Sequence, residues 1–134
     1  MGRRTKLVIQ GTLPGLNEYI NAERRNKYLA AKLKNQSEHV VMSYARRQLH
    51  GVHFDGPVTM TYTWYEPSRR RDKDNVSSYG RKVIQDALVR AGVLAGDGWR
   101  YIEGFRDRFV VDRDNPRIEV ELEEVGNDKA VCEC

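Results

Sequence analysis

The sequence predicts a single α+β (mixed α/β) domain with about four strands in one mixed sheet and two helices packed against it. Its 134 residues are the size of one domain with one hydrophobic core. Strand-like and helix-like patterns follow one another in the order β-α-β-α-β-β, which is typical of helices packed on a sheet. The chain shows no internal repeat and no low-complexity segment.

The first half of the chain predicts one strand and one long helix. Lys6–Gly11 predicts a short opening strand that ends at Gly11. The stretch Asn17–Lys27 is polar and predicts no regular element. From Tyr28 to about Leu49, apolar residues recur three and four apart, which predicts a helix of about six turns. Its expected buried stripe consists of Leu29, Leu33, Val40, Val41, Tyr44 and Ala45.

The middle of the chain predicts a second strand and a second helix. β-Branched and aromatic residues alternate from Val58 to Tyr65 and indicate a strand, which Pro67 ends. A polar loop, Ser68–Asn75, then leads into a helix whose apolar residues run from Val76 to Ala91.

Two further strands follow, which we expect to form a hairpin. The third runs from roughly Tyr101 to Val111, and the turn 112–116 leads to a fourth at Ile118–Glu123. Residues 1–125 are therefore the predicted domain, and residues 126–134 a flexible C-terminal tail.

Cysteine use and hydropathy exclude some classes of protein. Cys132 and Cys134 are the only cysteines, so they build neither a disulfide framework nor a four-cysteine zinc site. They are either half of a metal site or two solvated thiols. No apolar run approaches a membrane span or a signal peptide, so we expect a cytoplasmic protein with no membrane partner.

Charge is distributed unevenly. Residues 1–91 carry 17 Lys and Arg against 8 Asp and Glu, whereas residues 92–134 carry 6 against 11. The balances of +9 and −5 sum to the net charge of +4. A basic front two-thirds is typical of a phosphate-binding surface, although solvated basic faces are also common.

Three aspartates are candidate metal ligands. Asp72 and Asp74 lie in a loop that runs into a helix, and Asp97 follows the end of that helix. Mg²⁺ prefers carboxylate oxygens and needs only one or two of them beside substrate phosphate. Alternatively, the first two are helix caps and Asp97 is a turn residue between two glycines.

Basic residues adjoin these aspartates. Lys82, two helical turns after Asp74, either stabilises charge on a phosphate or forms a weak surface pair with Asp86. Candidate contacts to the DNA backbone are Arg69, Arg70, Arg71, Lys73 and Arg81. A solvated run of charges explains them almost equally well.

Together these motifs resemble the RusA family of Holliday junction resolvases. The resemblance lies in Arg70–Asn75, in Lys82–Leu88, and in Ala91–Leu94 followed by Asp97; it extends to Leu13–Tyr19. The family's pattern is R-x-D-x-D-N, then K-x-x-x-D-A-L, then A-G-V and an acidic residue.

The resemblance implies a Mg²⁺-dependent homodimer, with Mn²⁺ as a substitute, that resolves four-way DNA junctions by paired nicks. It makes Asp72, Asp74 and Asp97 the metal-binding catalytic carboxylates and Lys82 the catalytic lysine. Asp86 would hold its helix against a neighbour. The family's usual setting in phages and prophages implies a bacterial cytoplasm.

One departure from the family leaves the catalytic cation open. In shorter members the lysine follows the second aspartate by one turn, where this chain has Ser78, and Lys82 comes four residues later. Arg81 is the alternative. Two other functions also remain open: a non-catalytic module that binds branched DNA, and a nuclease that cuts flaps.

Overall fold

The computed structural model describes residues 2–125 and confirms the α+β fold class. The tail predicted at 126–134, with Cys132 and Cys134, lies outside the described residues. Within them, the strands are β1 (Arg4–Gln10), β2 (Val58–Glu66), β3 (Ile102–Val111) and β4 (Arg117–Glu124). The helices are α1 (Leu16–Arg25), α2 (Lys27–Gln48) and α3 (Lys73–Arg90).

The described strands form one mixed sheet in the order β1-β4-β2-β3. β4 is antiparallel to both β1 and β2, whereas β2 and β3 run parallel. The chain reaches β3 from β2 through α3, which is the helical crossover that a parallel pair of strands requires.

The predicted hairpin of the last two strands is wrong. β3 and β4 lie on opposite sides of β2, so the turn between them crosses the end of that strand. The Asp112 amide donates to the Glu66 carbonyl at this crossing, over 2.7 Å. A short turn after a strand is compatible with either topology, and only the tertiary structure distinguishes them.

One face of the sheet carries the hydrophobic core. β2, the strand that the sequence pattern predicts, alternates strictly between buried and half-buried residues. Its buried side chains meet those of β1, β4, α2 and α3 in a single cluster. Trp64 and Tyr62 are the largest fully buried side chains and stack with centroids 5.7 Å apart. The opposite face of the sheet is lined by polar and charged residues.

The sequence missed α1. None of its residues is fully buried, and its polar composition hides the apolar spacing of Leu16, Tyr19 and Ile20. The helix begins at Gly15, whose amide donates to the Glu18 carboxylate over 3.1 Å. This glutamate at the third helical position was the available signal.

The long predicted helix is confirmed as α2, but its buried stripe is rotated. Leu29 and Val40 are 42% and 45% exposed. The buried residues are Ala30, Ser37, Glu38, Val41, Met42 and Ala45.

No helix within the described part of the chain is long and apolar enough to cross a membrane.

Candidate nuclease site at the N-terminus of helix α3

A short loop leads from the carboxyl end of β2 to the N-terminus of α3, where the first two predicted site residues lie. Asp72 occupies the N-cap position with extended backbone, but its side chain makes no capping hydrogen bond. Asp74 lies in the first turn, where the positive end of the helix dipole favours a carboxylate. Both side chains are exposed. Asp72 is therefore the N-cap residue by its backbone position, but its carboxylate does not cap the helix.

Arg71 fixes the loop that carries Asp72. Its guanidinium donates two hydrogen bonds to the buried Glu66 carboxylate, over 3.0 and 2.9 Å, and a third to the Leu13 carbonyl, over 3.0 Å. Such a bidentate pair fixes geometry as well as contributing energy. With these donors engaged, Arg71 acts in this structure as a loop clamp, and its contact to DNA stays a prediction.

Asn75 joins the N-terminus of α1 to that of α3. Its side-chain oxygen accepts from the Asn17 amide over 2.8 Å. Gly15 permits this contact, because a Cβ there would lie 2.7 Å from the same oxygen. Two helix N-termini consequently meet beside the aspartates, and both dipoles make this region favourable for anions.

A cleft of about 690 Å³ opens beside Asp72. Arg69, Arg71 and Lys73 line one side of it, and the edge strand β3 contributes Phe109 and Val111 to the other. The ammonium of Lys73 lies 5.6 Å from the centre of the Phe109 ring, a cation–π contact. Asp72 thus lies at a cleft that has basic side chains on one side and an apolar wall on the other.

Lys82 and Asp97 belong to a second cluster, farther along α3. The Lys82 ammonium lies 3.1 Å from Asp97 and 3.2 Å from Asp86. Asp86 in turn accepts from Lys34 of α2 over 2.8 Å. The buried Glu38 completes this network by accepting from Lys34 and Arg90 over 2.7 and 2.8 Å.

This network explains the role of Asp86 that the resemblance implies. Its bond to Lys34 ties α3 to α2, and the two helices pack along their length. Burial raises the pKa of Asp86, but hydrogen bonds involving Lys34, Asp97 and Lys82 outweigh burial and lower the pKa below its ordinary value.

Lys82 is a cation at neutral pH. Hydrogen bonds to Asp97 and Asp86 raise the pKa of its ammonium above the ordinary value of 10.5. Its side chain is 58% exposed, so the charge remains accessible from solvent. A lysine held in this state can stabilise negative charge on a phosphate but is a poor proton acceptor.

The structure does not bring the three aspartates together. Asp74 and Lys82 are eight residues apart, which is about 12 Å of helix rise. Lys82 reaches toward Asp86, one turn farther still from Asp74, and Asp97 lies there too. Across residues 2–125, no group of three or more histidine, cysteine or acidic side chains is close enough to share a metal ion.

Asp72 and Asp74 remain candidate magnesium ligands without Asp97. Mg²⁺ keeps several waters and is commonly bound through one or two carboxylates together with substrate phosphates. Within the described residues, neither aspartate side chain has a hydrogen bond or a salt bridge.

Arg81, the alternative catalytic cation, is also engaged. It pairs with Asp107 of β3, which accepts a further bond from the buried Trp64 indole over 2.9 Å. Its guanidinium also lies 4.7 Å from the centre of the Phe105 ring. This arrangement ties α3 to the edge strand.

Sequence reasoning missed the residues that hold the site in place. Glu66, Lys34, Glu38 and Asp107 are all ion-pair partners of residues on α3 or on the loop before it. The i,i+4 spacing of Lys34 and Glu38 was a usable signal. Asp107 pairs with Arg81 across 26 residues, and Glu66 pairs with Arg71 from the end of a strand to the following loop; neither spacing stands out in a single sequence.

A scan against protein-family models finds no match, and a search of curated proteins finds no significant match. A functional assignment therefore depends on the residues, their geometry and the motif resemblance.

Proposed function

We propose that this protein is a Mg²⁺-dependent endonuclease of branched DNA, of the RusA type, acting as a homodimer in a bacterial or phage setting. Its reaction would be hydrolysis of phosphodiester bonds at four-way junctions by paired nicks. The motif resemblance supplies the substrate class, and the site at the N-terminus of α3 supports the chemistry.

The observation that carries the proposal is a pair of unpartnered aspartates in basic surroundings. Arg69, Arg70 and Lys73 are exposed beside Asp72 and Asp74, yet within the described residues these cations form no salt bridge with them. Exposed carboxylates without a partner in the chain leave their oxygens free to bind a cation from solvent. A divalent metal ion fits that description.

Each step of phosphodiester hydrolysis can be assigned to one of these groups. The attacking water loses a proton to solvent and forms a bond to phosphorus, while the bond to the leaving sugar oxygen breaks and that oxygen takes up a proton from solvent. A magnesium ion bound at Asp72 and Asp74 supplies Lewis acidity and a lowered pKa for bound water. Arg69 and Lys73 bind the flanking phosphates, and the helix dipole of α3 favours the negative charge that develops.

Lys82 stabilises charge on the same strand from farther along α3. Its ammonium is exposed on one side and anchored by Asp86 and Asp97 on the other. For Asp97 to join Asp72 and Asp74 on one metal ion, its bond to Lys82 must break. The proposal therefore assigns the metal to the first two aspartates and keeps Asp97 as a third ligand only after such a movement.

The test is cleavage of a labelled synthetic four-way junction with and without Mg²⁺, beside duplex, flap and single-strand controls. Asp74→Asn removes the charge with nearly unchanged shape, and we expect it to lower cleavage at least about 100-fold. Asp55→Asn is the matched control, because Asp55 is exposed before the opposite end of β2. A titration with Mn²⁺ followed by electron paramagnetic resonance measures metal binding independently of cleavage.

Symmetric nicks on the junction, with loss of both cleavage and Mn²⁺ binding in Asp74→Asn only, would support the proposal. Junction binding without any cut at all would indicate a non-catalytic module. Preferential cutting of flaps would keep the metal site and replace the substrate.

A further inference from the structure

The face of the sheet opposite the helices bears charges in ordered columns. Outward side chains of β4 include Glu119, Glu121 and Glu123, and those of β3 include Arg106 and Arg108. Between these columns lie the half-buried threonines of β2, Thr59, Thr61 and Thr63. The acidic column and the basic column of β3 thus flank a neutral centre line, and Arg4 and Lys6 of β1 lie on the other side of the acidic column.

The two columns are in register. Thr61 pairs with Arg106 on one side and with Glu121 on the other, and Thr63 likewise stands between Arg108 and Glu119. Two strand spacings separate β3 from β4, which is about 10 Å. A cleft of about 610 Å³ lies between them, over the threonines.

Part of this charge has no partner within the described chain. Glu119 is bonded to Lys6 and Arg117, over 2.7 and 2.8 Å. Glu121, by contrast, has no salt bridge among residues 2–125, and the same holds for Arg106. These two opposite charges stand at one level of the sheet on either side of Thr61.

We infer that this face binds the same face of a second copy of the chain, about a two-fold axis that lies parallel to β2. A rotation about such an axis places the β3 column of one copy over the β4 column of the other. It preserves the level along the strand, so Arg106 of each protomer meets Glu121 of its partner. The surface is therefore self-complementary, as a two-fold interface requires.

The charges also exclude the other way of stacking the two faces. A two-fold axis perpendicular to the strands would put glutamate over glutamate and arginine over arginine, which is strongly unfavourable.

This inference rests on the proposed function, which requires a homodimer, and the two-fold axis parallel to β2 determines where the two candidate sites lie. It keeps the carboxyl ends of both β2 strands at one end of the dimer, so both pairs of Asp72 and Asp74 face the same direction. Two sites on one side of a two-fold particle suit paired nicking of one two-fold junction.

Reversal of the paired charges tests the interface without any cleavage assay. We expect Arg106→Glu and Glu121→Arg each to raise the dimer dissociation constant at least about tenfold in analytical ultracentrifugation. The double variant should return it to near the starting value. Arg46→Glu, on the exposed side of α2, is the matched control and should leave it unchanged.

Cross-linking locates the axis independently. In a chain with Cys132 and Cys134 replaced by Ser, Thr61→Cys should cross-link to its own copy with a short bis-maleimide, because Thr61 lies on the axis. Ser43→Cys, exposed on α2, should not.

A strict monomer at about 100 µM, a dimer insensitive to both charge reversals, or cross-linking through Ser43→Cys would each overturn the inference. Ultracentrifugation and cross-linking measure the dimer, whereas the cleavage assay measures the nuclease. Either proposal can therefore fail without the other.

Discussion

At the scale of single residues, the basic side chains of the candidate site differ in whether the protein itself already binds them. Arg71 is committed to Glu66 and Leu13, whereas the adjacent Arg70 makes no side-chain bond to the rest of residues 2–125. The two neighbours therefore differ in role although their side chains are identical. Substitution by lysine separates these roles, because lysine keeps the charge and loses the planar fork.

We predict that Arg71→Lys lowers the free energy of unfolding by about 1–3 kcal/mol, because the buried Glu66 carboxylate loses a bidentate partner. Arg70→Lys should change it by less than about 0.5 kcal/mol. Urea denaturation followed by circular dichroism measures both. Equal effects from the two variants would contradict the clamp assigned to Arg71.

The lowered pKa of Asp86 predicts that the stability of the protein depends on pH. Because its pKa in the folded protein lies below the ordinary value of 3.8, its contribution is present above that pH and is lost as pH falls through the folded pKa. We expect Asp86→Asn to cost about 1–3 kcal/mol at pH 7. The difference from the parent should stay constant down to about pH 4.5 and shrink below pH 3.8.

Urea unfolding of both proteins at a series of pH values provides the measurement. Asp114→Asn, in an exposed turn, is the control and should show no such difference at any pH. A gap between Asp86→Asn and the parent that does not shrink at any pH below 3.8 would argue that packing, and not charge, accounts for the loss.

The residue scale also shows what one sequence discloses about a site. The motif around Asp72, Asp74, Lys82 and Asp97 stands out from residue type and spacing. Its division into two clusters does not, because Asp97 is drawn to Lys82 and Asp86 by the chain that follows α3. Only the folded structure shows which carboxylates lie within reach of one another.

At the scale of elements, strong periodicity was the reliable signal. The alternation in β2 predicted the strand, and the spacing in α2 predicted the helix. α1 was missed because it is amphipathic over only ten residues and contributes partly buried side chains alone. The hairpin failed for a different reason: strand pairing is decided by tertiary packing, and a five-residue turn permits both adjacency and crossing.

Helix α3 is positioned by one close approach to the sheet. A Cβ at Gly80 would lie 2.8 and 2.9 Å from two ring atoms of Trp64, which is itself 1% exposed and cannot move aside. We therefore expect Gly80→Ala to lower the free energy of unfolding by about 1–2 kcal/mol, since overpacking exceeds the roughly 1 kcal/mol gained in helix propensity.

Gly56→Ala is the control for this prediction, because a Cβ there meets nothing within 4 Å. Thermal unfolding gives the stability of both variants, and near-ultraviolet circular dichroism reports the Trp64 environment. A more stable Gly80→Ala with an unchanged spectrum would show that α3 has room to shift away from β2.

At the scale of the whole molecule, charge divides the surface into two regions. The loop before α3 and the first turn of α3 present Arg69, Arg70 and Lys73 beside the candidate metal site, whereas the open face of the sheet carries the glutamates of β4 between basic side chains of β1 and β3. Arg69, Arg70, Arg71 and Lys73 are four of the 17 basic residues in the first 91 positions, and they lie together after the carboxyl end of β2. DNA and a second copy of the chain would occupy different surfaces.

This division predicts the salt dependence of junction binding. Each phosphate contact contributes about −0.9 to the slope of log affinity against log salt concentration, because binding releases condensed counterions. Arg70→Ala and Lys73→Ala should each reduce that slope by about one, in fluorescence anisotropy titrations with Ca²⁺ in place of Mg²⁺ to prevent cutting. Arg46→Ala, on the exposed side of α2, should leave the slope as it is. An unchanged slope in the first two variants would place the DNA elsewhere, and would separate the candidate metal site from any junction that the protein binds.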